Sequence, residues 1–215
     1  MVELAFRIAR MEPVTSTVSP HIGLSLEVSC ANSHQQIESV LLRSTVRIDA
    51  AARKHDPAER ERLRELFGGA GVWERSSKSL LWTETTSVLP GFSGTTTVEL
   101  LLAASYDLEH ATSRYLSALG GGEAPIVVHF RGTIFHRSTS GLEVAQIPWD
   151  REARFRMPVA CFRDALERHY SNAAVVPLRR DVFERLDRYR AAQGLATWEL
   201  AVERLLGVAP SRGTA

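Results

Sequence analysis

Residues Pro125 to Trp149 read PIVVHFRGTIFHRSTSGLEVAQIPW. Ile126, Val128 and Phe130 alternate with Val127, His129 and Arg131. Gly132 interrupts, and Ile134 and Phe135 resume. A polar tip, Arg137-Ser138-Thr139-Ser140-Gly141, leads into Leu142 and Val144. Two period-2 runs joined by five turn-forming residues predict a long β-hairpin with one half-buried face. This is the strongest fold signal in the chain, and it carries no chemistry of its own.

The same alternation recurs on both sides of it. Leu4, Phe6 and Ile8 mark a first short strand, and Pro13 to Pro20 a Ser/Thr-rich connection. Ile22, Leu24, Leu26, Val28 and Cys30 mark a second strand, and Val40, Leu42, Val46 and Ile48 a third. The polar link between these two is short, which predicts that they pair antiparallel. Leu80, Trp82, Thr86 and Val88 share one side of a fourth strand. Pro90-Gly91-Phe92-Ser93-Gly94 is a turn, and Val98, Leu100, Leu102 and Ala104 form one face of a fifth strand. After the hairpin, Ala153, Phe155 and Met157 mark a last strand.

Helices punctuate the strands. Asp56-Pro57-Ala58-Glu59 has the N-cap, first-turn proline and returning carboxylate of a capping box, ahead of the stripe Leu63, Leu66, Phe67. Gly68-Gly69-Ala70-Gly71 leaves that helix and lacks a GK[ST] ending, so it is not a phosphate loop. Leu108, Ala111, Tyr115, Leu116 and Leu119 recur at helical spacing, and Gly120-Gly121-Gly122 stops them. Pro158 opens a helix with the stripe Phe162, Leu166 and His169. Beyond Asn172, a brief extended piece at Val175 to Leu178 precedes two helices, Asp181 to Ala192 and one capped by Thr197.

The predicted fold class is mainly β (α+β): an antiparallel β-sandwich with helical insertions and a C-terminal helical hairpin. The expected domains are a β-sandwich over 1–172, the helical hairpin over 173–208 and a disordered tail over 209–215.

Composition removes several function classes. The chain has 215 residues and a net charge of +1, which argues against a large non-specific nucleic-acid footprint. Among its 26 basic residues only Lys54 and Lys78 are lysine, and the arginines are spread along the chain. No run approaches the ~18 apolar residues of a membrane span. Glu3 and Arg7 interrupt the apolar N-terminus, unlike a signal peptide. Cys30 and Cys161 have neither CxxC nor Cys/His metal spacing, so a reduced, cytoplasmic setting is expected. The seven histidines show no HxH or HxxxH pair. His129 and His136, seven apart, fall on opposite faces of a continuous strand, unless a bulge at Gly132 changes the parity. No serine sits in a GxSxG elbow, and Asp107, Glu109 and Asp150 are explained by helix-start and turn chemistry. No catalytic, cofactor-binding or metal residue is singled out, and no cofactor is expected.

Six segments carry a family resemblance: Leu81-Trp82-Thr83, Val88-Leu89-Pro90-Gly91-Phe92, Tyr106-Asp107-Leu108-Glu109, Phe130-Arg131-Gly132-Thr133-Ile134-Phe135, Ile147-Pro148-Trp149-Asp150 and Gly194-Leu195-Ala196-Thr197-Trp198. Together they resemble an uncharacterised bacterial family of about this length, a domain of unknown function. Some of its members are encoded near nickel–iron uptake hydrogenase genes. The resemblance implies an accessory or assembly role and transfers no catalytic residue. Val175 to Leu206 also resembles a ribbon-helix-helix unit, but its strand is apolar and contains Pro177, and six arginines face five acids over that span.

The expected function is therefore a non-catalytic cytoplasmic interaction or assembly protein whose partner is another protein. Trp82, Phe92 and Trp149, if exposed together, are its aromatic anchors, and Arg131, Arg154 and Arg156 its basic row. A DNA-binding regulator built on the C-terminal unit, and a small-molecule site assembled only in three dimensions, are the alternatives.

Overall fold

The computed structural model describes residues 2–68, 79–107, 110–170, 176 and 178–207. The chain divides into two compact units, Met1–Val175 and Val176–Ala215.

The first unit holds two antiparallel sheets. One has three strands in the order β1 (Leu4–Val14), β2 (His21–Cys30), β5 (Thr95–Ala103). The other has five: β4 (Ser79–Phe92), β3 (Ile37–Asp49) and β6 (Glu123–Ser138), with β7 (Gly141–Gln146) and β8 (Glu152–Pro158) laid end to end along the far edge of β6. Their inner faces share one core, built from Ile22, Leu24, Leu26 and Val28 on one side and Val40, Leu42, Val46, Val128 and Phe130 on the other. Phe6 of β1 stacks on Phe130 of β6 across the gap, with ring centroids 4.2 Å apart.

The hairpin forms as expected, with a tighter tip. Ser138 pairs with Gly141, so only Thr139 and Ser140 turn the chain. Gly132 does not break the strand. Its φ is +148°, and a Cβ there would sit 1.9 Å from the Leu41 carbonyl oxygen. Only glycine lets β3 and β6 approach at that point.

Three expectations need correction. The second and third strands do not pair. β2 pairs with β1 and β5, while β3 pairs with β4 and β6, so the polar link after Cys30 crosses between sheets. Each strand has an apolar inner face, interrupted in β3 only by Ser44, and facing sheets bury both at once. In β4 the inward set holds for Leu80 and Trp82, which pack against the core, and is wrong after Trp82, at Thr86 and Val88. Val46 pairs with Thr83 and Arg47 with Leu81, leaving Trp82 unopposed in a bulge. The bulge flips the parity, so Leu89 is buried and Val88 exposed. A bulge near Ala9 in β1 likewise puts Met11 on the same buried face as Ile8. In the last helix of this unit, His169 is exposed, and Cys161 and Ala165 join Phe162 and Leu166 inside.

The capping box is present. Asp56 accepts from the Glu59 amide at 2.7 Å, Glu59 accepts from the Asp56 amide, and α1 (Pro57–Arg62) and α2 (Arg64–Phe67) follow. α3 (Ala111–Ala118) buries Tyr115 and Leu116, and α4 (Val159–Tyr170) runs straight on from β8, whose last residue is Pro158. Residues 69–78, 108–109 and 208–215 lie outside the described residues, and with them the glycine run after Gly68, the first turn expected for the Leu108 helix and the expected tail.

The second unit contains α5 (Arg180–Ala192) and α6 (Trp198–Leu205), joined through Gly194 at φ +64°. Thr197 Oγ1 accepts from the Leu200 amide, as its sequence position predicts. Phe183 packs on Trp198 at 5.1 Å, and the Arg190 guanidinium lies 4.5 Å over the Trp198 ring. The extended piece expected at Val175 to Leu178 falls partly outside the described residues; Val176 and Leu178 are not in a strand.

Candidate functional site

From Ser39 onward the odd-numbered residues of β3, and those of β6, point away from the core, so the outer face of the five-stranded sheet is fixed by register. Leu41 lies between Val88 and Thr133, and Ser39 between Pro90 and Phe135, which in turn faces Val144. Val88 is 71% exposed, and Leu41, Leu142 and Val144 are also exposed. The result is an apolar band across all four strands at one end of the face.

Beside it runs the basic row. Arg43 and Arg131 are directly opposite each other. Arg43 reaches Glu84 at 3.7 Å, whereas Arg131 has no ion-pair partner among the described residues. Two outward positions further, past Thr45 and His129, Arg47 and Arg154 flank Val127, which is buried although it points outward. Arg47 donates to Ser79, and Arg154 is shared between Asp49 and Glu152. Arg156, with Ala52, Pro125 and Phe155, lines a shallow recess of about 360 Å³ at the end of the row.

The aromatic candidates separate. Trp149 is 85% exposed, at the tip of a loop pinned to β6 on either side of Arg131: the Ile147 amide donates to the Gly132 carbonyl and the Phe130 amide to the Arg151 carbonyl. Arg151 in turn reaches Glu3. Trp82 is half-buried, and its indole N–H donates to the Ala103 carbonyl at 2.8 Å, tying β4 to β5. Phe92 is only 9% exposed and belongs to the core, so it is no part of an exposed anchor. It closes the sheet end because β4 runs through Pro90-Gly91 to Phe92 before turning.

Two polar clusters escape a reading of local spacing. The first ties the segment after β3 to the glycine turn before β6. Arg53 pairs with the buried Glu59 at 2.7 Å and donates to the Gly121 and Glu123 carbonyls, and Glu59 accepts from the Gly120 amide. Next to it His55 Nε2 lies 3.0 Å from the Tyr115 hydroxyl. Burial pulls the His55 pKa down and pushes the Tyr115 pKa up, which favours the neutral form of each. Every member has a structural partner, and the cluster reads as a clasp.

The second cluster lines a cleft of about 560 Å³ between the end of the three-stranded sheet and the β6–β7 hairpin. Glu3, Cys30, Asn32, Gln35, His136, Ser138 and Glu143 border it. His136 and Glu143 are cross-strand neighbours. Hydrogen bonds from the Ser138 and Ser140 hydroxyls, at 2.6 and 2.7 Å, hold the Glu143 carboxyl below its usual range. His129 and His136 do fall on opposite faces, since β6 is unbroken between them. Among the described residues no group of three or more His, Cys, Asp or Glu is placed to hold a metal ion, and no helix is long and apolar enough to cross a membrane. Both cysteines are free and buried, and burial raises the Cys161 thiol to about 11.

Among solved structures, a β-glucosidase from Kluyveromyces marxianus is similar at 11% identity and a TM-score of 0.28, over 73% of this chain and 15% of that one. A late embryogenesis abundant protein in solution is similar at 11% identity and a TM-score of 0.32, over 74% and 72%. The ApaA protein of Bordetella pertussis is similar at 12% and 0.27, over 74% and 94%. This chain thus spans about 15% of the length of the β-glucosidase. No curated protein matches the chain. A family of unknown function, DUF6084, matches residues 1–213, and the chain belongs to that family.

Proposed function

We propose that this member of a family of unknown function is a non-catalytic accessory protein, and that it docks a partner protein on the outer face of its five-stranded sheet. The partner presents an apolar centre with carboxylates at its rim. One observation carries this: Arg43 and Arg131 stand directly opposite each other beside the exposed Leu41 and Val88. Like charges paired across strands destabilise a sheet, and exposed apolar side chains gain nothing for the monomer. A carboxylate from a partner reverses the sign of the first effect, and an apolar contact uses the second. Arg156 at the recess extends the same surface, and the loop of the exposed Trp149 is pinned to β6 on either side of Arg131.

The setting is cytoplasmic in this reading, in keeping with two unpaired cysteines. The first partners to examine are the accessory proteins of nickel–iron uptake hydrogenases, from the gene neighbourhood that the family resemblance implies.

The test is site-specific photo-crosslinking in the native host with a crosslinking amino acid at position 88, then at position 144. The expected result is the same acidic-surfaced partner from both positions, lost when Arg131→Glu is added. No shared product from the two positions, or a product indifferent to Arg131→Glu, overturns the proposal.

A further inference from the structure

The cleft at the β6–β7 hairpin shares Val144 with the outer face but is otherwise distinct from it, and is built from three distant parts of the chain. Val2 and Glu3 come from the start of β1, Cys30 to Gln35 from the crossing between sheets, and His136 to Ala145 from the hairpin. His136 is 7% exposed, and its Nδ1 has no hydrogen-bond partner among the described residues. A buried polar atom left unpaired costs about 1–3 kcal/mol. Such atoms call for a reason other than stability.

The chemistry of the walls selects the ligand. Ser138 and Ser140 both donate to one oxygen of Glu143, so the carboxylate is held charged and its second oxygen is left as an acceptor. Among the described residues no arginine or histidine forms an ion pair with Glu143, and no lysine or arginine lines the cleft. The Gln35 amide nitrogen is spent on the Arg137 carbonyl at 2.6 Å, which turns its oxygen free as a second acceptor. Asn32 is fixed by accepting from the His34 amide. Val2, Val144 and Ala145 supply apolar wall. Two carboxylates, Glu3 and Glu143, against the single imidazole of His136 disfavour an anion. Glu3, Cys30, His136 and Glu143 are on its walls, but no three of them are placed together to hold a metal ion.

We propose that this cleft binds a small organic cation, an alkylammonium group seated on Glu143 and Gln35 with its short carbon chain against Val144 and Ala145. His136 forms the inner wall and sets the depth. The cleft volume suits a molecule of a few carbons to the size of an amino acid.

The experiment titrates the 15N-labelled full chain with butylammonium chloride and, separately, with sodium butyrate at the same ionic strength. Saturable amide shifts at Asn32, Gln35, His136 and Glu143 to Ala145 are expected with butylammonium and not with butyrate. Glu143→Gln should weaken binding by roughly tenfold or more, the loss of one charge-assisted bond. Ser140→Ala, which removes one donor to that carboxylate, should weaken it severalfold and guards against a folding effect of the first variant. Val88→Asp, on the outer face, should leave binding unchanged, so failure here is distinguishable from failure of the docking surface. No saturable shift with butylammonium, an equal response to butyrate, or unchanged binding in Glu143→Gln overturns the proposal.

Discussion

Two residues in the contact between β3 and β6 show how narrowly single side chains are chosen. Gly132 must be glycine for two reasons at once: a φ of +148° and a carbonyl oxygen 1.9 Å from where a Cβ would stand. Gly132→Ala forces β3 and β6 apart in the middle of the sheet. We expect a loss of at least about 3 kcal/mol in urea unfolding, the sum of backbone strain and overpacking. Ser44 points the other way. It is fully buried in β3, opposite Phe130, and its hydroxyl has no partner among the described residues. Its small volume accommodates the ring stacked between the sheets, but its oxygen gains nothing there. Ser44→Ala keeps the volume and removes the desolvated hydroxyl. The expected outcome is a gain of up to about 1 kcal/mol, read from the same urea midpoints. A destabilised Ser44→Ala protein would show that the hydroxyl is bonded in solution.

At the scale of elements, the strands were legible because period 2 is a local property. Each buried face of β2, β3, β5 and β8 follows its alternation. The bulges at Ala9 and Trp82 were not, since an extra residue is defined only against a partner strand. Choosing between pairing and facing for β2 and β3 also needs the other strands. The outward positions of Arg131, Arg154 and Arg156 followed from parity alone. The His136–Glu143 pair did not, because a five-residue tip over 137–141 sets His136 opposite Leu142, and the real two-residue turn moves the register by one. The Arg53–Glu59 clasp joins elements about 60 residues apart and left only Glu59's capping role visible. Its neighbour gives a pH prediction. Burial holds the folded-state pKa of His55 below 6.5, so an unfolded chain takes up the proton first. The stability associated with neutral His55 is present above that value and is lost as pH falls through the lower, folded pKa. Urea midpoints taken about one pH unit either side of 6.5 should drop on the acid side. His55→Gln, which still offers the Tyr115 hydroxyl a partner, should flatten that drop; an unchanged slope would locate the titrating group elsewhere.

Across the sandwich as a whole, the same strands serve two surfaces with opposite demands. The inner face is selected for volume. Phe130 lies under Phe6 with no exposure, and Phe130→Ala should cost about 3–5 kcal/mol because the sheets cannot close over the missing ring. The outer face of β3, β4, β6 and β7 is under no such constraint. Val88 and Val144 stand in solvent on β4 and β7, the two end strands of the order β4-β3-β6-β7, where charge is the usual protection against unwanted strand pairing. Folding alone would tolerate, and solubility would favour, acids at both places. Val88→Asp and Val144→Asp, singly or together, should therefore shift the unfolding free energy by no more than about 0.5 kcal/mol each, and additively, since Val88 and Val144 are separated by β3 and β6. Chemical denaturation of the three variants beside Phe130→Ala measures this directly. If the two aspartates proved as costly as the lost ring, the apolar band would be part of the core, and a docking role for it would have no basis. If they are silent, the band persists in the sequence for a reason outside the fold, and the unpaired charge of Arg131 beside it names the kind of surface that covers it.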